Sequence, residues 1–194
     1  TLIRPAQTYG GAGFVVPSVG NGTYVMKRLR QGQPIIIHGD GTSVWVACHR
    51  NDVANAFVNA IGNQAAFGQG YNVTGEEWMT FDTYWRMIAK ALGAPEPKFV
   101  HIPTDTLSRL LPGRAEWCKE NFMHNNIFDN TAAHRDLGFR YTVKWEDGIR
   151  SVIGELDKTN AIESCSDEPY YDLLLKAWDK CSDQLKLDCA GLDN

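Results

Sequence analysis

The sequence predicts an α/β protein on two observations: strand-like and helix-like segments alternate, and polar turns directly follow two of the strands. Short β-branched or glycine-bounded runs have strand character, and between them apolar residues recur at the three- and four-residue spacing of amphipathic helices. This alternation predicts a sheet covered by helices. Because ligands of open α/β sheets bind beyond the strand ends, the polar turns are candidate site positions.

The first predicted elements are a strand, a loop and a helix. Residues 1–3 are the apolar end of a strand that Pro5 stops, and the glycine-rich residues 10–22 predict a loop. Thr23 is a suitable N-cap for a helix that runs to residue 30. The inward side of that helix is expected to carry Val25, Met26 and Leu29.

Two strands and a helix follow. The β-branched run 34–37 predicts a buried strand, and a turn at residues 40–41 separates it from an alternating strand over residues 43–48. Asn51 or Asp52 is expected to cap the next helix. The apolar stripe of that helix is predicted to comprise Val53, Phe57, Val58 and Ile61.

The middle of the chain predicts strand, helix and strand. Gly70–Val73 is a short strand, and Thr80 opens a helix that Gly93 ends. Phe99–Ile102 is the next strand, stopped by Pro103. The inward residues of the helix are predicted to be Tyr84, Met87, Ile88, Ala91 and Leu92.

The remaining elements are mostly helical. Residues 104–122 predict two short helices around a Pro-Gly pair, residues 127–129 a short strand, and Thr131–Leu137 a short helix. Residues 143–156 form an amphipathic pattern. After a linker, the last helix starts near Pro169 with an apolar side that comprises Tyr170, Leu173, Leu174, Ala177, Trp178 and Cys181.

Composition narrows the classes of function. The 194 residues carry a formal net charge of −4, which disfavours a nucleic-acid partner. No apolar run approaches the roughly 20 residues that span a bilayer, so no membrane partner is expected. The five cysteines match no metal site or disulfide framework, which favours a reducing, cytoplasmic location.

Two motifs give the strongest functional signal. Residues 4–10 are Arg-Pro-Ala-Gln-Thr-Tyr-Gly, and residues 39–54 contain Gly-Asp-Gly, a histidine and the helix start Asp-Val-Ala. In order and spacing they resemble the C-terminal part of the NAD-dependent epimerase/dehydratase family, which are extended short-chain dehydrogenase/reductases. The strand Gly70–Val73 is also similar to a strand of that family.

The resemblance covers residues 1–157. It implies the C-terminal strands of a Rossmann-type sheet plus a small mixed α/β substrate-binding domain, with residues 158–194 as a linker and a C-terminal amphipathic helix. The family's Gly-x-Gly-x-x-Gly turn and Tyr-x-x-x-Lys pair do not occur in the sequence. The chain is therefore expected to lack the N-terminal nucleotide-binding half, to carry no catalytic residue and to be inactive alone.

The activity implied by the resemblance is that of an NAD(P)-dependent epimerase, dehydratase or oxidoreductase. Its small-molecule substrate would be a sugar or a related hydroxyl or carbonyl compound. NAD or NADP would be shared with an N-terminal nucleotide-binding fragment, the expected partner, and a homodimer is compatible with the family. The alternative is a non-catalytic binding protein of the same fold, for example an RNA-associated one, which the net charge disfavours.

The resemblance also implies the site residues. The backbone of Pro5 and Ala6 would contact the nicotinamide, and Gln7 would hydrogen-bond the substrate. Trp45 stands where nucleotide-sugar enzymes carry a diphosphate-binding arginine, and an indole cannot neutralise a phosphate. A nucleotide-sugar substrate is therefore disfavoured.

His49 and Arg109 are the further candidates for substrate binding. Each of the three side chains outside the first motif has a structural alternative: Trp45 packs in the core, His49 is satisfied at a strand end, and Arg109 lies on a solvated helix face.

Overall fold

The computed structural model describes residues 1–11, 13 and 17–192. Its α-helices are α1 (Tyr24–Arg30), α2 (Arg50–Ala60), α3 (Phe81–Ala91), α4 (Thr104–Leu110), α5 (Thr131–Leu137), α6 (Trp145–Lys158) and α7 (Pro169–Asp188), and short 3-10 or π turns cover Gln64–Ala66, Cys118–Phe122 and Cys165–Asp167. Its strands are β1 (Leu2–Pro5), β2 (Gln7–Tyr9), β3 (Ile35–His38), β4 (Val44–Trp45), β5 (Ala47–His49), β6 (Gly70–Val73), β7 (Met79–Thr80) and β8 (Phe99–Ile102). The predicted α/β class is confirmed. No helix in the described part of the chain combines the length and apolarity needed to cross a bilayer.

The strands pair mostly in parallel. β1 pairs with β6, β2 with β5 and β3 with β8 in parallel, whereas β4 and β7 are antiparallel. Parallel pairing requires crossover segments, and helices supply them here. Ala6 is the single residue between β1 and β2, so the chain changes its pairing partner from β6 to β5 at that residue.

Two apolar clusters hold the helices against the strands. The larger one is built on aromatic rings: Tyr84 stacks on Trp145 with 5.1 Å between ring centroids, and Trp45 meets Tyr84 edge-on at 4.9 Å. The smaller one joins α2 and α5 to the strands and includes Val53 and Tyr71. Edge-to-face and offset ring pairs of this kind add stability beyond their buried area.

Several predicted elements are confirmed. The strands Gly70–Val73 and Phe99–Ile102 and the helix Thr131–Leu137 have the expected boundaries. Thr80 caps α3 through its side-chain oxygen, as predicted. Gly138 ends α5 at φ 59°, a left-handed conformation that glycine adopts without a Cβ penalty.

Two strand predictions are wrong. The expected strand over residues 43–48 is two strands, because β4 ends at Trp45 and pairs with β7 while β5 begins at Ala47 and pairs with β2. Val46 turns the chain from one partner to the other, and the segment is buried on both sides instead of alternating. Residues 127–129 form no strand.

The predicted cap of α2 is also corrected. The N-cap is His49, whose Nδ1 accepts the backbone N–H of Asn51 at 3.3 Å. The buried Asp52 instead accepts the backbone N–H groups of Thr142 (2.9 Å) and Val143 (3.0 Å), ahead of α6. The carboxylate therefore ties α2 to a distant loop rather than capping its own helix.

The apolar stripe predicted for α2 holds only at Val53. Phe57, Val58 and Ile61 are 48%, 63% and 82% exposed, while Ala56 is fully buried. The helix turns its small Ala56 toward the sheet, and a small side chain allows close helix–strand packing.

Two contacts join the C-terminal segment to α1 and β3. Thr23 precedes α1 as predicted, but its hydroxyl donates to the carbonyl of Ala161 at 3.1 Å and does not cap the helix. In α7 the buried residue is Tyr171, whose Oη accepts the N–H of Ile36 in β3 at 2.7 Å. Leu173, predicted to face inward, is 66% exposed.

Candidate functional site

A cavity of about 350 Å³ opens where β1 passes into β2. Its lining comprises Pro5, Ala6, Gln7, Thr8, Trp45, Val46, Trp117, Asn121, Asn126 and Phe128. One wall is therefore the first sequence motif, a second is the junction of β4 and β5, and a third comes from the segment between α4 and α5.

The change of strand partner at Ala6 creates the first wall. Pro5 is the last residue of β1 and lies opposite Val73, and Gln7 is the first residue of β2 and lies opposite Ala47. A crevice forms where neighbouring strands diverge at the carboxyl ends of a sheet, and ligands of α/β proteins occupy such crevices.

Trp45 forms the floor of the cavity and belongs to the core at the same time. The side chain is only 3% exposed, and its ring packs 6.0 Å from Phe81 and 6.0 Å from Trp145 between centroids. The aromatic cluster thus fixes the indole in place, and a ligand would meet one edge of a rigid group.

The outer wall is aromatic and more open. Trp117 is 61% exposed and stacks on Phe122 at 6.1 Å between centroids, and Phe128 is 37% exposed. Gln7 and Trp117 also border a second cavity of about 110 Å³, whose lining includes Arg114 and Phe122. The two cavities therefore form one cleft, and Gln7 and Trp117 border both of its parts.

Amide groups supply much of the polar lining. Neither the Gln7 nor the Asn121 side chain hydrogen-bonds another described residue, so both carboxamides are available to a ligand. The Asn126 side chain is partly engaged, because its amide donates to the carbonyls of Asn121 (3.4 Å) and His124 (3.1 Å). A carboxamide offers both a donor and an acceptor, which matches a hydroxyl or a carbonyl.

The buried imidazole of His38 positions the outer wall. Its Nδ1 lies 3.1 Å from Ser18 Oγ and its Nε2 lies 3.1 Å from the carbonyl of Phe122. Burial lowers the pKa of His38 to about 4, so the ring is neutral near pH 7. A neutral ring bonds one partner as donor and one as acceptor, which ties β3 to the segment that carries Trp117.

The structure brings together four of the six residues predicted for the site: Pro5, Ala6, Gln7 and Trp45. Trp45 is a core residue, as its structural alternative expects, and it also borders the cavity; its role in substrate binding stays a prediction.

His49 and Arg109 do not line this cavity. His49 is buried, caps α2 and packs edge-on against Tyr9 at 5.4 Å between ring centroids, and its burial lowers the pKa of the imidazole. Arg109 is exposed, and its Nε donates to the carbonyl of Asp105 in the same helix at 3.1 Å. The positions of both fit their structural alternatives, and their role in substrate binding stays a prediction.

Sequence reasoning missed the outer wall of the cavity. Trp117, Asn121, Asn126 and Phe128 belong to a stretch that is aromatic and rich in asparagine but matches no motif. Its composition was the available signal, because large exposed aromatic side chains beside amides are typical of ligand-binding surfaces.

Comparison with known proteins gives relatives in sequence. No protein-family model matches the chain. It is 36% identical over 101 residues to the chloroplast stem-loop binding protein of 41 kDa b from Arabidopsis thaliana, across 52% of this chain and 26% of that protein. It is 30% identical over 152 residues to UDP-glucose 4-epimerase from Mycolicibacterium smegmatis, across 78% of this chain and 43% of that protein.

Solved structures share the fold. UDP-glucuronic acid 4-epimerase from Bacillus cereus, in complex with NAD, superposes with a TM-score of 0.59 at 18% identity, across 81% of this chain and 44% of that one. UDP-glucose 4-epimerase from Thermotoga maritima, with UDP-glucose, gives 0.60 at 21% identity, across 81% and 46%. The chain spans less than half the length of each of these relatives. The resemblance to an epimerase/dehydratase family and the Rossmann-type fold is confirmed.

Proposed function

We propose that this chain, which is similar in sequence and fold to the NAD-dependent epimerase/dehydratase family, is the substrate-binding part of an NAD(P)-dependent enzyme. The enzyme would epimerise, dehydrate or reduce a sugar or a related hydroxyl or carbonyl compound. One observation carries the proposal: the cavity at the β1–β2 junction gathers Pro5, Ala6, Gln7 and Trp45, which the family resemblance selects for ligand contacts.

The lining at Pro5 and Ala6 fits a nicotinamide ring. Proline has no N–H and alanine has only a methyl side chain, so this wall is uncharged. It also has no long side chain that would keep a flat ring at a distance. The cofactor, when bound, would accept a hydride from the substrate and return it. NAD is favoured by the complex with the Bacillus cereus relative.

The chain's own residues would bind and orient the substrate. Gln7 can hold a hydroxyl or a carbonyl with equal facility, because its carboxamide both donates and accepts. Trp45 and Trp117 line the same cavity as Gln7 and would pack against the bound substrate. Proton-transfer groups and most of the cofactor site are assigned to an N-terminal nucleotide-binding portion, so this chain alone would be inactive.

A binding protein without catalysis is the second candidate, and the Arabidopsis relative is the observation that favours it. A nucleic-acid partner would have to bind a chain with a net charge of −4, which lacks the usual electrostatic attraction. A cytoplasmic location, compatible with five unpaired cysteines, belongs to the proposal as well.

The Gln7→Leu variant of the full-length protein tests the proposal. It keeps the side-chain volume and removes the hydrogen bonds, so turnover should fall about 10–100-fold, the loss of one or two good hydrogen bonds, while NAD affinity stays within about twofold. Product formation from a panel of sugars and sugar nucleotides, followed by NMR, reports turnover, and calorimetry reports NAD binding.

Gln64→Leu, at an exposed glutamine outside the cavity, is the matched control. Wild-type turnover in Gln7→Leu would exclude the proposed role of the cavity. Absence of NAD binding together with salt-dependent binding of an RNA stem-loop would favour the second candidate.

A further inference from the structure

The cavity at the β1–β2 junction has an uncharged lining. None of the described residues that border it is an aspartate, glutamate, lysine, arginine or histidine. A phosphate group or a carboxylate entering this space would give up part of its hydration without meeting a cation, and an unpaired charge is costly to desolvate. Arginine and lysine are the side chains that proteins use to bind such groups.

Arg114, which borders the adjoining cavity, already has partners for its charge. Arg114 Nη1 lies 3.1 Å from Glu168 Oε2, and its guanidinium lies 4.1 Å from the centroid of the Tyr170 ring. The carboxylate neutralises the arginine, and the ring covers one of its faces. A diphosphate in the cleft would have to displace Glu168 to use this charge.

The polar groups that remain are matched to hydroxyls. Gln7 and Asn121 offer free carboxamides within the described cleft, and each can donate to one hydroxyl and accept from another. Trp117 and Phe128 present exposed rings beside them. A pyranose ring has one face of C–H bonds that packs on an aromatic ring and a rim of hydroxyls that amides can bind.

On the premise that this cleft is the substrate site proposed above, we infer that its substrate is an uncharged, hydroxyl-rich ring compound, such as a free sugar or a glycoside. A sugar joined to a nucleoside diphosphate does not fit the charge of the lining. The class of substrate would therefore differ from the UDP-sugars named for the epimerase relatives.

Ligand-observed saturation-transfer NMR on the full-length protein tests this inference. The probes are methyl glycosides of glucose, galactose, mannose and xylose on one side and UDP-glucose on the other. We expect saturation of at least one methyl glycoside, and loss of that signal by at least fivefold in Trp117→Ala. Trp78→Ala, at an exposed tryptophan outside the cleft, should leave the signal unchanged.

A charge-introducing variant tests the reason for the exclusion. Asn121→Arg places a cation in the cavity without removing a side-chain hydrogen bond to a described residue. It should raise the affinity for UDP-glucose at least tenfold over the wild type. Asn55→Arg, at an exposed asparagine on α2, adds the same charge elsewhere and should not.

The outcomes separate the two proposals. UDP-glucose binding that is stronger than glycoside binding and is lost in Trp117→Ala would overturn the inference and leave the proposed function intact. If neither class of probe binds, or if binding is unaffected by Trp117→Ala, the inference fails, and the turnover of Gln7→Leu then decides the proposed function separately.

Discussion

At the scale of single residues, Trp45 and His38 show how a few buried side chains determine the cavity. Trp45 is held by three aromatic neighbours and leaves only an edge at the cavity floor. His38 connects β3 to Ser18 and to the carbonyl of Phe122, two residues that line the smaller adjoining cavity. Their contribution is rigidity, since neither is free to follow a ligand.

Trp45→Arg is expected to destabilise the fold. The guanidinium would be buried among aromatic rings without a partner, which should lower the free energy of unfolding by about 3–5 kcal/mol. Urea denaturation measures the change. Trp78→Arg, at a side chain that is 48% exposed, should cost less than about 0.5 kcal/mol. Equal stability of the two variants would mean that Trp45 is accessible to solvent.

The lowered pKa of His38 predicts that the protein loses stability in mild acid. Its pKa is lowered to about 4 in the folded protein, against an ordinary value of 6.5. Between these two pH values the unfolded chain binds a proton that the folded chain does not, so stability is complete above pH 6.5 and decreases as the pH falls toward 4. The slope contributed by this group is at most about 1.4 kcal/mol per pH unit.

Comparison of denaturation curves at pH 7 and pH 5 in wild type and in His38→Gln isolates the effect of His38. The variant should be less stable at pH 7 and should lose less stability on acidification. His124→Gln, at an exposed histidine, should behave as the wild type. An identical pH dependence in all three proteins would contradict the neutral buried imidazole.

At the scale of elements, α2 and α6 are connected by a carboxylate rather than by an apolar stripe. Asp52, in the first turn of α2, accepts two backbone N–H groups and the hydroxyl of Thr142 just before α6 begins. Glu77 acts similarly, because its Oε2 accepts the N–H of Trp145 at 2.7 Å and the hydroxyl of Tyr141. Glu77 thus satisfies one free N–H group in the first turn of α6, and Asp52 satisfies two N–H groups of the loop that precedes it.

Asp52→Ala should therefore be more costly than the loss of an ordinary helix cap. It leaves two N–H groups in a partly buried loop without their acceptor, for which we expect a loss of about 2–4 kcal/mol. Thermal melting and hydrogen exchange at residues 142 and 143 report the effect. Asp105→Ala, in the first turn of α4 at an exposed position, is the control and should cost less than about 1 kcal/mol. A small loss confined to α2 would indicate simple capping by Asp52.

At the scale of the whole molecule, the C-terminal helix is joined to the core of the remaining chain. Tyr171 is 1% exposed, and its ring lies 4.6 Å from the guanidinium of Arg28. Arg28 also pairs with Asp172 at 2.8 Å. The division of the chain between residues 157 and 158, which the family resemblance implies, stays a prediction. The contacts of Tyr171 and Arg28 indicate that α7 contributes to the stability of the chain.

Tyr171→Phe is the test of that contribution. The variant keeps the ring and removes the acceptor for the N–H of Ile36, so the free energy of unfolding should fall by about 1–3 kcal/mol. Tyr170→Phe, at a half-buried tyrosine whose hydroxyl lies 2.7 Å from that of Tyr24, serves as the control and should cost less, because the Tyr24 hydroxyl keeps its bond to the carbonyl of Val19. If Tyr171→Phe melts at the wild-type temperature, α7 is not anchored through this hydrogen bond.

The sequence determined the fold class and most element boundaries, because these depend on local patterns, and its resemblance to the family selected Pro5, Ala6 and Gln7 for the site. Glycine and proline positions, three-and-four spacing and a strand running into a polar turn are all read over a few neighbouring residues. Only the tertiary structure decided which backbone N–H groups each carboxylate accepts, as Asp52 shows, and which face of α2 is buried. It also assembled the neutral aromatic and amide lining around Trp117 and Asn121. These features depend on partners that are distant in the chain, as in the 90-residue separation of Asp52 and Thr142, and no local pattern encodes such pairings.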